Sequence, residues 1–304
     1  MRTILSYIRS YYQQMDAVVF YITTPVMAIL IFLNYHFGID NDITHHYDFL
    51  YSFTGRYLIY LTAFCIPWIL YYLKGDRTYF RQQRFLLLLF FAPAIFALKT
   101  ALNLPLPFSD DPGWNVYWNR VFYWPVLLLI TLFLVYLMWK WNDKDQPFYG
   151  WKTKEMDWRP YWMMLLIMLP LIAAASTQKD FLSHYPKLQL ISGVYASGEP
   201  AVWQKALFEL SYGSDFITIE TFFRGFLVLA FAKWAGKDAI LPMACFYCTI
   251  HFGKPLGECI SSYFGGLLLG IVVFNTRSIF GGLMVHLGIA WLMEIGGYIG
   301  NAWK

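Results

Sequence analysis

The stretch FITIETFFRGFL, residues 216–227, places a glutamate and an arginine four residues apart in an otherwise oily run, Glu220 and Arg224. At i and i+4 of a helix they share a face, so the arginine can make a carboxylate tolerable where burial alone would be costly. Two later elements carry imidazoles. In CFYCTIHFG, residues 245–253, Tyr247 stands one turn before His251, and in SIFGGLMVHLGIAW, residues 278–291, His286 follows a glycine-rich run. A carboxylate and two imidazoles on three successive elements suit a general base with hydrogen-bonding partners that activates water. The same set, Glu220, His251 and His286, suits a metal such as zinc with water as the fourth ligand. A plainer reading also stands: the ion pair only neutralises itself and each histidine is a packing residue. In the catalytic reading, water held between an ionised Glu220 and His251 is the nucleophile, while His286 or Arg224 stabilises the negative charge that develops. Asp215, Glu258 and Glu294 are substitute bases near one end of their spans; Asp215, five residues before Glu220, is about 140° away on a regular helix.

The elements that must position these groups are membrane spans. The chain has 304 residues, 58% hydrophobic and only 14% charged. That charge cannot cover a soluble surface, and the apolar residues come in blocks of about twenty, the length that crosses a hydrocarbon core. Candidate spans are 17–34, 57–73, 84–102, 121–139, 161–176, about 214–234, 239–252, 260–275 and 279–298, eight or nine in all, since the seventh and eighth are short. The expected fold is an all-α polytopic transmembrane bundle. No cleavable signal pattern follows Arg2 and Arg9, so the first span reads as a retained anchor. Arg2, Arg9, Lys74, Arg77, Arg81, Arg84, Lys140, Lys144, Lys152, Lys154, Arg159, Lys233, Lys237 and Arg277 fall on one side if nine spans alternate, which places the N-terminus in the cytoplasm. The net charge of +4 reflects this loop bias and suggests no nucleic-acid partner.

Residues 1–176 read as a five-span scaffold with no ionisable residue in a span centre and with Trp and Tyr clustered at span ends. Residues 177–213 form a connection, turn-rich from Ser183 to Pro200 and then helical in AVWQKALFELSY; this stretch either lies on the membrane surface over the site or simply links spans. Residues 214–304 hold the ionisable groups, as a four-helix core. Counting depth at about 1.5 Å per residue puts Glu220 and His251 roughly 20 Å in and His286 about 10–15 Å in, so the first two meet readily and the third needs a tilted or deeper-starting helix. Of four cysteines, Cys245 and Cys248 form a C-x-x-C inside an apolar span without a second pair, which reads as packing rather than as a zinc or redox site. A small-solute transporter is disfavoured, since no inverted repeat is visible and the ionisable residues sit in one half.

Over roughly residues 210–295 the sequence resembles the CPBP intramembrane proteases, which include the CAAX prenyl endopeptidases and the bacteriocin-processing (Abi) proteins. Their motifs run Glu-Glu-x-x-x-Arg, Phe-x-x-x-His and His-x-x-x-Asn on successive helices. IETFFRGFL looks like the first, Tyr247-x-x-x-His251 like the second with Tyr for Phe, and His286 opens the third. The resemblance implies metal-free glutamate and histidine catalysis by Glu220, His251 and His286, supported by Arg224 and Tyr247. It also implies a membrane-associated peptide or lipid-modified protein as substrate and the bacterial inner membrane as location. Two family groups are replaced: the first glutamate, usually the water-activating base, falls on Ile219, and the asparagine falls on Ala290. The alternative these departures favour is a catalytically inactive member that binds a membrane protein, peptide or lipid in the same cavity.

Overall fold

A computed structural model describes the chain except Met1, Tyr47, Asp76, Arg77, Lys154, Glu155, Trp303, Lys304 and the side chain of Arg2. Three of the basic groups used for orientation, Arg77, Lys154 and the Arg2 side chain, thus lie outside the described residues. Among the described residues every regular element is helical: α1 (Arg2–Gln14), α2 (Ala17–Phe37), α3 (Ile39–His45), α4 (Phe49–Leu73), α5 (Gln83–Ala101), α6 (Pro112–Asn142), α7 (Arg159–Ala175), α8 (Lys179–His184), α9 (Val202–Ile219), a π-helical run Glu220–Ala230, α10 (Phe231–Ala235), α11 (Ile240–Thr249), α12 (Leu256–Thr276) and α13 (Phe280–Ala302), with short 3₁₀ turns between some of them.

Six of these, α2, α4, α5, α6, α12 and α13, are long and apolar enough to cross a membrane. Only 28% of the most apolar window of α2, α4, α6 and α13 is buried within the protein. Helices oily all round with so little cover belong in lipid, where that surface meets no water. The fold is an all-α polytopic bundle. Eight or nine spans were expected; the difference lies in α7, with 17 residues, α11, with 10, and the segment 202–235, which is divided by its π-helical run. Polar caps start the helices: Asp16 accepts from Val19 N, Asp48 from Tyr51 N and Asp111 from Trp114 N. Pro25, Pro67, Pro93, Pro125 and Pro170 lie inside α2, α4, α5, α6 and α7, a placement membrane helices tolerate better than soluble ones.

The chain packs as two compact units. The first contains Met1–Leu102, Leu134–Thr153 and Thr221–Ile279. Here α4 packs on α5 and α11, and α11 on α12, around an aromatic core that includes Phe64, Trp68, Phe85, Phe96, Phe231 and Phe246. Glycine sets the α11–α12 distance: a Cβ on Gly266 would come within 3.0 Å of the Tyr247 ring, and one on Gly270 within 2.6 Å of Met243 Cε. At its polar end, buried Asp143 accepts from Tyr149 Oη at 2.6 Å, Gln146 Nε2 at 2.9 Å and Lys233 Nζ at 2.7 Å. Burial and the neighbouring Asp143 push the Tyr149 phenol well above its ordinary range, so it stays a donor.

The second unit contains Asn103–Phe133, Lys154–Glu220 and Phe280–Lys304. In it α13 packs on α7, α8 and α9. Gly281 faces the Tyr161 ring and Gly288 faces Leu165, at separations that would leave no room for a Cβ. The AVWQKALFELSY stretch is not a separate surface helix. It forms the first turns of α9, which continues without a break into the π-helical run. Gly213, the one residue that could have ended it, is packed against Leu287 and Trp291. The connection before it is also more helical than its turn residues suggest, with α8 and a 3₁₀ stretch over Lys187–Ala196.

Candidate active site

Helices α9 and α13 run antiparallel, and their facing residues form a ladder. Glu209 stands beside Glu294, Gly213 against Leu287 and Trp291, and Phe216 packs edge-on to the His286 ring with centroids 4.7 Å apart. At the last rung Glu220 Oε1 lies 2.9 Å from His286 Nδ1. The Glu220 side chain has no exposed surface, whereas that of His286 retains 15%. The pairing that depth counting made the harder one is thus made directly. Counting from span edges assumes untilted helices that start level, and two crossing helices need not obey it.

The bond assigns chemistry. An ionised carboxylate can only accept, so with Glu220 charged His286 Nδ1 is the donor, and in the neutral imidazole Nε2 is then the nitrogen with the free lone pair. A carboxylate that holds an imidazole in one tautomer and faces the charge it gains on protonation is the arrangement by which such pairs activate water or a nucleophile. Ala290, one turn beyond His286, lies in an apolar cluster with Tyr117, Trp124, Phe208, Tyr212 and Phe216. Ala290 itself brings no polar side chain to the position where the resembled motif has asparagine. Ile219 is buried as well.

The first unit brings together the supporting residues named from sequence. The Arg224 guanidinium lies over the Tyr247 ring, 3.9 Å from its centroid, and Arg224 is fully buried. Tyr247 in turn packs edge-on to His251, centroids 4.7 Å apart, and its carbonyl lies 3.0 Å from His251 Nδ1. Arg224, Tyr247 and His251 therefore form one stack, with a cation on an aromatic face and the aromatic edge on an imidazole. The backbone bearing Arg224 is π-helical from Glu220 to Ala230, a geometry that recurs at functional sites. Among the described residues no group of three or more His, Cys, Asp and Glu side chains is gathered to hold a metal ion.

Of the substitute bases, Glu294 is the one the ladder uses, and its Oε2 accepts the Lys187 backbone N–H at 2.6 Å. Its neighbour Glu209 was missed. Burial first, and Glu294 second, push the Glu209 carboxyl up to about 8, and it precedes the apolar stretch that begins near residue 214. Its signal was a carboxylate between Phe208 and Leu210, which a surface-helix reading absorbs as polar face.

No curated protein and no solved structure matches the chain. Residues 206–292, which run from α9 into α13 and contain every motif residue above, match the model of the Rce1-like family, described as type II CAAX prenyl endopeptidase Rce1-like.

Proposed function

We propose that this chain is an intramembrane endopeptidase of the CPBP/CAAX-protease type, which hydrolyses a peptide bond of a membrane-associated peptide or lipid-modified protein. The carrying observation is the 2.9 Å hydrogen bond between Glu220 and His286, inside the segment that matches the family model. In this reading His286 Nε2 takes the proton of the attacking water, and Glu220 orients the imidazole and faces its positive charge. His251 acts in the same reaction as the resemblance implies, held by Tyr247, whose ring carries Arg224. The N-terminus is cytoplasmic, following the basic loops, and the membrane is the bacterial inner membrane.

A second reading is supported by Ile219 and Ala290, which put buried apolar side chains where the family has two polar ones. In it the chain binds its membrane partner without cutting it. The test is purified protein in liposomes with prenylated and unprenylated peptides, the released C-terminal fragment being measured by mass spectrometry. Hydrolysis that falls at least 100-fold in both His286→Ala and His251→Ala supports the peptidase. Saturable peptide binding by wild type without any fragment supports the binding protein.

A further inference from the structure

The C-x-x-C of Cys245 and Cys248 is not the cysteine pair that the fold makes. Cys248, near the end of α11, meets Cys259, in the first turn of α12. Their sulfurs are 4.0 Å apart, and each also reaches the other's backbone carbonyl, Cys248 Sγ to Cys259 O at 3.5 Å and Cys259 Sγ to Cys248 O at 3.9 Å. Both residues are buried and all four cysteines are free thiols. Cys245 is three residues before Cys248 on the same helix, where Cβ atoms lie about 5–6 Å apart, beyond the roughly 3.5–4.5 Å of an unstrained bridge. The Cys248 and Cys259 sulfurs have to close by about 2 Å to reach the bond length of about 2.05 Å.

What they bracket is the turn 250–255, which carries His251. That turn is also pinned from α2: Asn34 Nδ2 donates to Phe252 O at 3.0 Å, and Tyr35 Oη donates to Lys254 O at 2.5 Å and lies 3.5 Å from His251 O. The cysteines are its two roots. Beside them, Leu256 and Ile260 are exposed on the first turns of α12, so the pair lies one layer beneath an oily surface.

We propose that Cys248 and Cys259 are a reversible disulfide site, whose oxidised form ties α11 to α12 across the His251 turn and restricts that histidine. The acceptor is an apolar, membrane-permeant compound that takes two electrons and two protons, such as a quinone or an azo compound. Two S–H bonds break, one S–S bond forms, and both hydrogens pass to the acceptor, giving the hydroquinone or the hydrazine. A thiol reductant reverses the step by exchange.

The test treats liposome-reconstituted protein with the azo oxidant diamide, blocks remaining thiols, and digests with chymotrypsin, which cuts after Phe246, Tyr247, Phe252 and Tyr263 and so separates Cys245, Cys248 and Cys259. The expected product is a peptide pair joined through Cys248 and Cys259, two hydrogens lighter than the sum, lost in dithiothreitol and in Cys259→Ser but kept in Cys245→Ser. Carbethoxylation of His251, followed by mass, should slow at least fivefold in the oxidised protein and recover on reduction. A dominant Cys245–Cys248 link, or no link while the blocked thiols account for all four cysteines, overturns the site. An unchanged His251 rate in cross-linked protein overturns the restriction. Neither readout depends on peptidase activity, so failure here is distinct from failure of the proposed function.

Discussion

Replacing Glu220 by glutamine removes a charge while keeping the shape and one acceptor oxygen. If His286 takes the proton of the attacking water, the imidazolium that forms faces a carboxylate whose Oε1 is 2.9 Å away and whose side chain is fully buried. Two unit charges about 4 Å apart attract by about 4 kcal/mol at an effective dielectric of about 20. A neutral amide oxygen still accepts from Nδ1–H and recovers about 1 kcal/mol. The net loss is about 3 kcal/mol, felt only once the imidazole is charged, so kcat should fall about 10²-fold with KM little changed. The assay is the peptide-release measurement in liposomes, with unfolding followed by tryptophan fluorescence to show that the variant is folded. Because the two side chains act as one unit, Glu220→Gln in a His286→Ala background should cost almost nothing more. A folded Glu220→Gln protein with kcat within threefold of wild type would refute the assignment of roles, as would a loss confined to KM.

Three further outcomes follow from the packing and the charges. Asp143→Ala strips Lys233, Tyr149 and Gln146 of their shared acceptor; since Lys233 keeps 28% side-chain exposure, the loss should be about 2–4 kcal/mol, and Lys233→Met should recover part of it in thermal unfolding. Gly281→Ala would drive a Cβ into the Tyr161 ring, costing about 1–3 kcal/mol, and a further Tyr161→Ala should relieve rather than add to the loss of melting temperature. Glu209, lifted from the ordinary glutamate value of 4.5 to about 8 beside Glu294, holds its proton in the folded state after the unfolded chain has released it. Its contribution is complete below about pH 4.5 and is lost as pH rises through about 8. Glu209→Gln should therefore flatten the fall in melting temperature between pH 5 and pH 8, and an unchanged slope would sink that account.

The residue types of the candidate site were legible because ionisable groups inside apolar runs stand out. Glu220, Arg224, His251 and His286 each interrupt an oily stretch, and Tyr247 is marked by its spacing to His251. The all-helical membrane fold was legible for the same reason, from blocks of apolar residues with too little charge between them. What stayed hidden was the geometry that depends on two elements at once. The Glu220–His286 bond needs the crossing of α9 and α13, and the Cys248–Cys259 contact joins two helices across a turn. Spacing along one helix showed only the C-x-x-C of Cys245 and Cys248, which reads as packing. The π-helical run also has no signature in composition, because an oily segment with one extra residue per turn looks like any other oily segment.

That run is held from outside its own sequence. A Cβ on Gly225 would come within 2.6 Å of the Tyr149 carbonyl, so only glycine lets the helix lie this close to the loop. The same loop grips the next helix through Asp143 and Lys233, and Trp151 Nε1 donates to Thr221 Oγ1 at 3.2 Å. Contacts at 221, 225 and 233 thus fix the helical phase along the stretch, and with it the direction in which Arg224 leaves the backbone toward Tyr247. An ordinary α-helix has fewer residues per turn and would rotate these positions progressively out of register with the loop. The polar knot around Asp143, far in sequence from any motif residue, is therefore part of what positions Arg224 on the ring that supports His251.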